Sequence, residues 1–519
     1  MTDLARPGSQ APTISESSTR RVLAVVGLSL MAVVSAVSGL NVALPSLARE
    51  TGASQTEVTW IVDAYTVVFA GLLLFAGALG DRFGRKLLLA AGLVLFGAAA
   101  GLGMLTNDPA TLILIRALMG VGAAAIMPTT LSVITTSFPE HERPRAIGIW
   151  VGIAGGGAVL GLFATGFLLE YFPWQSFFGL NVGLAAVALI GVLAVVPQSA
   201  DEDPPALDIP GALLSLVAVA ATVFGIIEGA ERGWADPLVV GSLVVGVLAT
   251  VAFVGWESRV AAPMLDPALF RLRGFSAGTL TITVQFFAAF GFFFIAIQYL
   301  QYVTGRSPFE TAISLLPLPL VLLPVARNAP LLAQRVGFRR LGPLGLVSMA
   351  LGFLILSRLD AQTPYLLVVA GIVPFAFGMG LAGTPATTAI TSSLPVSKQG
   401  VASAVNDTGR ELGSAFGIAI LGSVLNQGYR AGMADAVTRL PPEVAEQVLR
   451  SIAFTGSPAV ANLGEAGRQL VEQARNAFVG GVSDAVFVAS VVLAVAALAV
   501  WALAPRGPEA GGVLDAPRA

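Results

Sequence analysis

Fourteen stretches of this chain are apolar over about 20 residues, the length an α-helix needs to cross a hydrocarbon core. They span residues 22–45, 57–79, 87–105, 110–135, 145–169, 175–196, 209–229, 237–257, 274–299, 311–333, 342–358, 364–391, 401–424 and 481–504. A chain built this way has one outlet: in lipid every backbone N–H and C=O must be paired within its own segment, so each stretch becomes a helix. Composition agrees, with 55% hydrophobic and 12% charged residues, against about 25% charged in a soluble domain. The expected fold class is an all-α integral membrane protein with 14 transmembrane helices.

Several function classes drop out. Cysteine is absent, which excludes disulfides and thiolate metal sites. A net charge of −2 with no basic stripe gives no footprint for nucleic acid. No Gly-x-x-x-x-Gly-Lys-Ser/Thr loop occurs, so no nucleotide is bound through a P-loop. The single histidine, His141, lies in the polar run "PEHERPR" with no Ser/His/Asp set or metal cluster around it. The reading is therefore not an enzyme, with no catalytic residues, no metal and no cofactor.

Orientation follows from Lys and Arg. With both termini cytoplasmic, 17 of the 29 basic residues fall on the cytoplasmic side and 9 outside, five of those in the long 425–480 segment. Long loops carry little weight in the positive-inside rule. The remaining three, Arg116, Arg327 and Arg410, lie within helices. Residues 1–21 read as a cytoplasmic tail, because the first apolar run is too long for a cleaved signal peptide.

Charges inside apolar helices mark function by default, since each costs about 2.5–3.5 kcal/mol on insertion scales. "VNDTGRELGSAFG" (405–417) carries Asp407, Arg410 and Glu411. Asp407 and Glu411 are four apart and share a helix face, so they titrate as a unit able to hold one proton; an Asp407–Arg410 pair at i,i+3 is the plainer alternative. Asp63 lies in the second helix between Trp60 and Tyr65, and Arg116 at similar depth in the fourth. An Asp63–Arg116 pair is expected, with Gly120 and Ala124 letting the helices approach closely. Possible cavity lining comes from Tyr65, from Gln285, Phe286, Phe290, Gln298 and Tyr302 in the ninth helix, and from Arg327 and Asn328 beside Pro324 and Pro330. Apolar walls with a few polar groups suit small amphiphilic organic molecules.

The chain also repeats itself. "GALGDRFGRK" (77–86) and "PLLAQRVGFR" (330–339) place Leu third, Arg sixth and Gly eighth, 253 residues apart. Both follow the second helix of a six-helix half if helices seven and eight are an insertion. The expected organisation is a 1–21 tail, a 22–200 N-terminal half, two extra helices in 201–272, a 273–504 C-terminal half with an external helical loop at 425–480, and a 505–519 tail.

"GALGDRFGRK" resembles the signature loop of the major facilitator superfamily at every fixed position. "NVALPSL" (41–47), "WIVDAYTV" (60–67), "LILIRALMGVGAAAIMP" (112–128), "LDIPGALLS" (207–215) and "GRELGSAFGIAILGSVL" (409–425) resemble its 14-helix drug:proton antiporter branch. Two places depart from that pattern: Ala36 stands where the branch carries an Asp, and "GLFATG" (161–166) replaces its Gly-Pro-x-x-Gly-Gly. The resemblance implies a gating loop of Gly77, Asp81, Arg82, Gly84 and Arg85, with Asp81 received by the N-terminus of helix thirteen near Gly400. The charged residues Asp63, Asp407, Glu411, Arg116 and Arg410 form the expected proton-coupling set, and the family carries an acidic residue at the place of Asp63. The resemblance further implies a carrier of the bacterial cytoplasmic membrane, whose partners are substrate, protons and lipid, exporting amphiphilic drugs or metabolites by alternating access. A gradient-independent facilitator or importer is the alternative. The 425–480 segment is expected to form two short external helices, at 440–454 and 462–478, over the outer mouth.

Overall fold

The computed structural model describes residues 16–138, 143–199, 207–261, 263–394 and 399–506. They are helical, with no strand among the described residues. The order is α1 (Glu16–Thr51), α2 (Gln55–Phe83), α3 (Arg85–Gly103), α4 (Pro109–Ser137), α5 (Arg143–Tyr171), α6 (Ser176–Val195), α7 (Ile209–Arg232), α8 (Pro237–Glu257) and α9 (Arg273–Gln298). Then come α10 (Pro308–Ser314), α11 (Pro317–Val336), α12 (Phe338–Leu356), α13 (Tyr365–Ser392), α14 (Gln399–Met433), α15 (Pro442–Arg450), α16 (Pro458–Ala461) and α17 (Glu465–Leu503). Among the described residues, twelve spans are long and apolar enough to cross a membrane. α5 and α14 are 29 and 35 residues long but are not among the twelve; α14 carries the charged triplet at 407–411.

The two halves pack alike. In the first, α4 lies on α2 and α3, and α1 on α5 and α6; in the second, α13 lies on α11 and α12, and α9 on α14 and α17. The likeness reaches single hydrogen bonds. Ser54 Oγ accepts from the Glu57 N–H at 3.1 Å while Glu57 Oε2 accepts from the Ser54 N–H at 2.8 Å. Ser307 and Glu310 repeat this reciprocal cap at the start of α10, satisfying donors that a helix start leaves orphaned. Gly52 and Gly305, just before these caps, have φ of 71° and 69°. α2 and α11 both end at glycines of positive φ, Gly84 (103°) and Gly337 (83°), whose N–H groups donate to Gly80 and Ala333 carbonyls. Each pair is separated by 253 residues, the spacing of the repeated loop. The "TG-x-S-x-x-E" of 51–57 recurs at 304–310 and carries the same period as the loop.

These glycines separate two costs. A side chain at Gly337 would meet nothing within 4 Å, so Gly337→Ala pays only for its backbone, about 1–2 kcal/mol. At Gly84 a Cβ would also lie 2.1 Å from Gln198 Nε2. In thermal unfolding of purified protein, Gly84→Ala is expected to cost more than Gly337→Ala; equal losses would show that Gln198 yields freely.

α7 and α8 have no counterpart in this duplication. α7 packs on α2 of one half and α14 of the other. Ser215 Oγ donates to the Gly71 carbonyl at 3.2 Å, Ser423 Oγ to the Ile226 carbonyl at 2.9 Å, and Trp60 Nε1 to Glu228 Oε1 at 3.0 Å. Val67, Val223, Ile227, Ala415 and Ala419 form a buried cluster across this seam.

Arg273 at the start of α9 donates to the carbonyls of Ala502 and Leu503, and Gln301, just beyond α9, to that of Val42 at 3.0 Å. The first and last helices therefore begin and finish on one side, the terminus side. On the opposite, loop side the halves meet: Gln301 on Val42, Phe167 against Phe309 at 6.3 Å, and Asn426 Nδ2 donating to Thr56 Oγ1 at 3.4 Å. Here α14 runs on to Met433 and the second expected loop helix is not separate, because Glu465–Leu503 is one continuous helix. The segment between α14 and α17 thus shortens to a strap over 434–464. α15 begins at Pro442 as its proline pair predicts. Ile452 and Ala453 of the strap are buried, and the strap packs on α1 and α17. Tyr429 Oη ties it to α14 by donating to the Val448 carbonyl at 2.8 Å. A cavity of about 900 Å³ lies between it and the Asp360–Gln362 turn.

Candidate functional site

Two close helix approaches build the interior. A Cβ on Gly120 of α4 would lie 2.6 Å from the Tyr65 carbonyl oxygen of α2, so only glycine allows this contact. It brings Arg116, one turn away, over the Tyr65 ring at 4.3 Å. In the other half, Gly413 and Gly417 of α14 lie against the Thr283 and Phe287 carbonyls of α9, where a Cβ would approach to 2.2 Å. That places Arg410 over the Phe286 ring at 4.6 Å. Each half thus holds one arginine on an aromatic face, an attraction worth about 2 kcal/mol when desolvated.

The pairing expected between Asp63 and Arg116 is not formed. Arg116 is fully buried, and its Nε donates instead to the Ile61 carbonyl at 3.0 Å. Its two terminal nitrogens and both Asp63 oxygens have no hydrogen-bond partner among the described residues, and Asp63 is 0% exposed. The reason is azimuthal: Arg116 meets α2 at the 61–65 stripe, and Asp63 lies on a different face. A double-mutant cycle on stability therefore gives coupling of about 0.5–2 kcal/mol between Tyr65→Leu and Arg116→Met, while Tyr65→Phe, which keeps the ring, couples little. For Asp63→Asn with Arg116→Met, additive effects on stability are expected. Strong coupling in the second cycle would restore the ion pair.

Asp407 is paired with Arg410, Oδ1 to Nη1 at 3.6 Å, which is the plainer of the two arrangements considered from the sequence. Asn406, beside it, accepts from Thr387 Oγ1 at 3.1 Å. Glu411 is half-buried and lies within Coulombic reach of Asp407, Arg410 and the Tyr65 ring. It is the charged group closest to joining the two arginine sites.

The expected lining residues scatter. Tyr65 is enclosed at 0% exposure, its hydroxyl donating to the Val33 carbonyl at 3.2 Å; it is a platform for Arg116 and not open wall. Tyr302 packs on Phe478 at 6.0 Å on the loop side. Gln298 is buried and bonds its own helix at Phe294. Gln285 is buried beside Gly383 with its carbonyl oxygen unpartnered. Phe286 and Phe290 stack at 5.9 Å and are half-buried. Arg327 and Asn328 are exposed. Asn328, whose Nδ2 donates to the Pro324 carbonyl, lines a groove of about 480 Å³ with Leu331, Leu332, Arg335, Phe377 and Leu381.

In the 77–86 loop, Gly77 lies near Pro128 and Arg82 is exposed. Arg85 is buried, its N–H donating to the Ser199 carbonyl at 2.8 Å, and Lys86 Nζ donates to the Leu193 carbonyl. The loop is therefore tied to the end of α6. The Asp81 side chain and residues 395–398 lie outside the described residues, and with them the expected latch near Gly400.

The profile of the Major Facilitator Superfamily matches residues 26–418. The chain is 38% identical over 402 residues to the puromycin resistance protein pur8 of Streptomyces alboniger, covering 76% of this chain and 80% of that one. It is 32% identical to the multidrug resistance protein Stp of Mycobacterium tuberculosis, over 94% and 93%. With the multidrug efflux pump LfrA of Mycolicibacterium smegmatis it shares 33% identity, over 94% and 97%. Among solved structures, a bacterial homologue of the human lysosomal transporter Spinster, inward-facing and unoccupied, superposes with a TM-score of 0.65 at 16% identity, covering 94% and 98%. Its fold is this fold. A profile match over most of the length, relatives at this identity and a duplicated six-helix plan agree: the chain belongs to the Major Facilitator Superfamily.

Proposed function

We propose that this protein exports amphiphilic organic compounds across the cytoplasmic membrane of a bacterium in exchange for protons, with its terminus side facing the cytoplasm. The observation that carries the reading is Asp63. It is a fully buried carboxyl with neither oxygen bonded among the described residues, and burying it as an anion without a partner costs several kcal/mol. A proton on Asp63 removes that cost. A group whose burial depends on its proton is what links proton entry to a change of conformation. Relatives named for multidrug resistance and efflux support the direction of transport.

In this scheme the halves, closed on the loop side, receive substrate from the terminus side. Phe286 and Phe290 offer an aromatic wall for its apolar body. Asp407, Arg410 and Glu411 form the second proton station, one helix from that wall. Opening to the loop side separates Gln301 from Val42 and lifts the strap from α1, after which protons enter at Asp63. Asp81 and its loop hold the terminus side closed in that state. The strap over 434–464 acts as an external lid.

The test is efflux of a panel of dyes and antibiotics from proteoliposomes holding the purified protein, with and without an imposed proton gradient. Gradient-dependent accumulation against concentration supports the reading. Equilibration that ignores the gradient would make the protein a facilitator.

A further inference from the structure

Arg327 stands halfway along α11, between Pro324 and Pro330, and its side chain is exposed. Prolines there withdraw the N–H groups that would bond the Leu320 and Ala326 carbonyls, a break tolerated where a helix borders a water-filled cavity. The face of α11 that packs on α13 is marked by Leu322, Val325 and Ala326 against Gly380, and by Ala329 at 1% exposure. At 3.6 residues per turn, Arg327 points about 150° away from that face. α11 continues from α10, which rests on α5 of the other half through Phe309 on Phe167 and Pro308 and Ala312 on Gly166. Arg327 thus lies on the helix that continues from the α10–α5 contact, on a face shared with the exposed Leu320, Leu323 and Leu331. An exposed guanidinium at this depth facing lipid would be strongly disfavoured, so its solvent is the cleft.

It is also uncompensated. No carboxylate pairs with Arg327 among the described residues. The other charges in the middle of the helices are withdrawn: Asp63 and Arg116 are fully buried, Asp407 is buried and held by Arg410, and Arg410 and Glu411 are half-buried. The exposed, unpaired charge deep in the cleft is a cation with a flat fork of donors, a shape suited to a carboxylate or phosphate.

Resting on the efflux reading above, we infer that Arg327 selects the charge of the substrate, and that the compounds carried best are anionic amphiphiles, an acidic group on an apolar ring system. The acid meets Arg327 as the molecule enters between α5 and α11.

Three probes sharing one fluorescent polycyclic body, ending in a carboxylate, a neutral amide or an ammonium, test this on the full chain. Binding is read in nanodiscs without a gradient, and efflux in proteoliposomes with one. Wild-type protein is expected to bind the carboxylate about tenfold tighter than the amide, the scale of one charge-assisted contact. Arg327→Lys keeps most of that preference, Arg327→Ala removes it, and Arg327→Glu turns it toward the ammonium. No carboxylate preference in the wild type, or the same preference in Arg327→Ala, overturns the inference; should Arg327→Ala not fold, the wild-type comparison decides alone. Repeating the binding in purely zwitterionic lipid separates the sources of the acid. A preference that appears only with anionic lipid present assigns Arg327 to a headgroup and overturns the substrate role. Selective binding without gradient-driven efflux would fell the antiport reading and leave charge selection standing. Efflux of all three probes alike would do the reverse.

Discussion

Arg116→Met is expected to unfold at the same temperature as the wild type or higher, and to transport at least about a hundredfold more slowly. The argument is one of magnitudes. Taking a guanidinium out of water costs several kcal/mol even after relaxation. Against this, Arg116 makes one hydrogen bond, to the Ile61 carbonyl, worth about 1.5–3 kcal/mol. It also stacks on Tyr65, worth about 2 kcal/mol. Its two terminal nitrogens, with no acceptor among the described residues, add to the cost. The sum does not favour the charge, and methionine fills a similar volume without one. A residue that does not stabilise this conformation is kept for another, in which those nitrogens find an acceptor. Loss of several kcal/mol of stability in Arg116→Met would place Arg116 among structural residues. Unaltered transport would remove it from the mechanism.

Glu411→Gln should leave the protein folded and inserted while ending efflux against a concentration gradient, with downhill exchange of substrate continuing. Glutamine keeps the shape and loses the ionisable proton. Glu411 is half-buried one turn from Asp407 and beside Arg410, so a change in its charge acts directly on the Asp407–Arg410 pair. Asp407→Asn should have a smaller effect on coupling and a larger one on stability, because it strands Arg410, whose Nε has no hydrogen-bond partner among the described residues. Proteoliposomes with counterflow and gradient-driven arms separate the two steps. Gradient-driven accumulation at the wild-type level in Glu411→Gln would sink its role as proton carrier.

The spans could be read from the sequence because each helix must be apolar over its own length, a one-dimensional property. Depth was legible for the same reason: rise per residue placed Asp63, Arg116 and Glu411 inside the membrane. Azimuth was not. Whether Arg116 meets Asp63 or the Ile61 carbonyl depends on how two helices are rotated against each other, and a single sequence states that only through close-packing glycines such as Gly120. Tyr65 illustrates the limit, since an aromatic beside a buried acid reads equally as binding wall or as platform. The second half of the repeat, from Thr51 to Glu57 and from Thr304 to Glu310, was visible in the letters. It stood apart from the conspicuous charged loop and became meaningful as two copies of one capped turn. The merger of 462–478 into α17 was hidden because a polar amphipathic run and an apolar run share the helical period, with no proline or positive-φ glycine between them.

α7 gives the machine a handedness that its duplication lacks. Two equal shells could swing apart on either flank, but α7 donates a hydrogen bond to α2 on one side and accepts one from α14 on the other, bridging the halves on a single flank. The flank bridged by α7 therefore resists separation more than the flank where α10 rests on α5. A long or rigid molecule would leave edgewise through that flank, and a covalent staple there would arrest the cycle. The same staple on the α7 flank would leave it running.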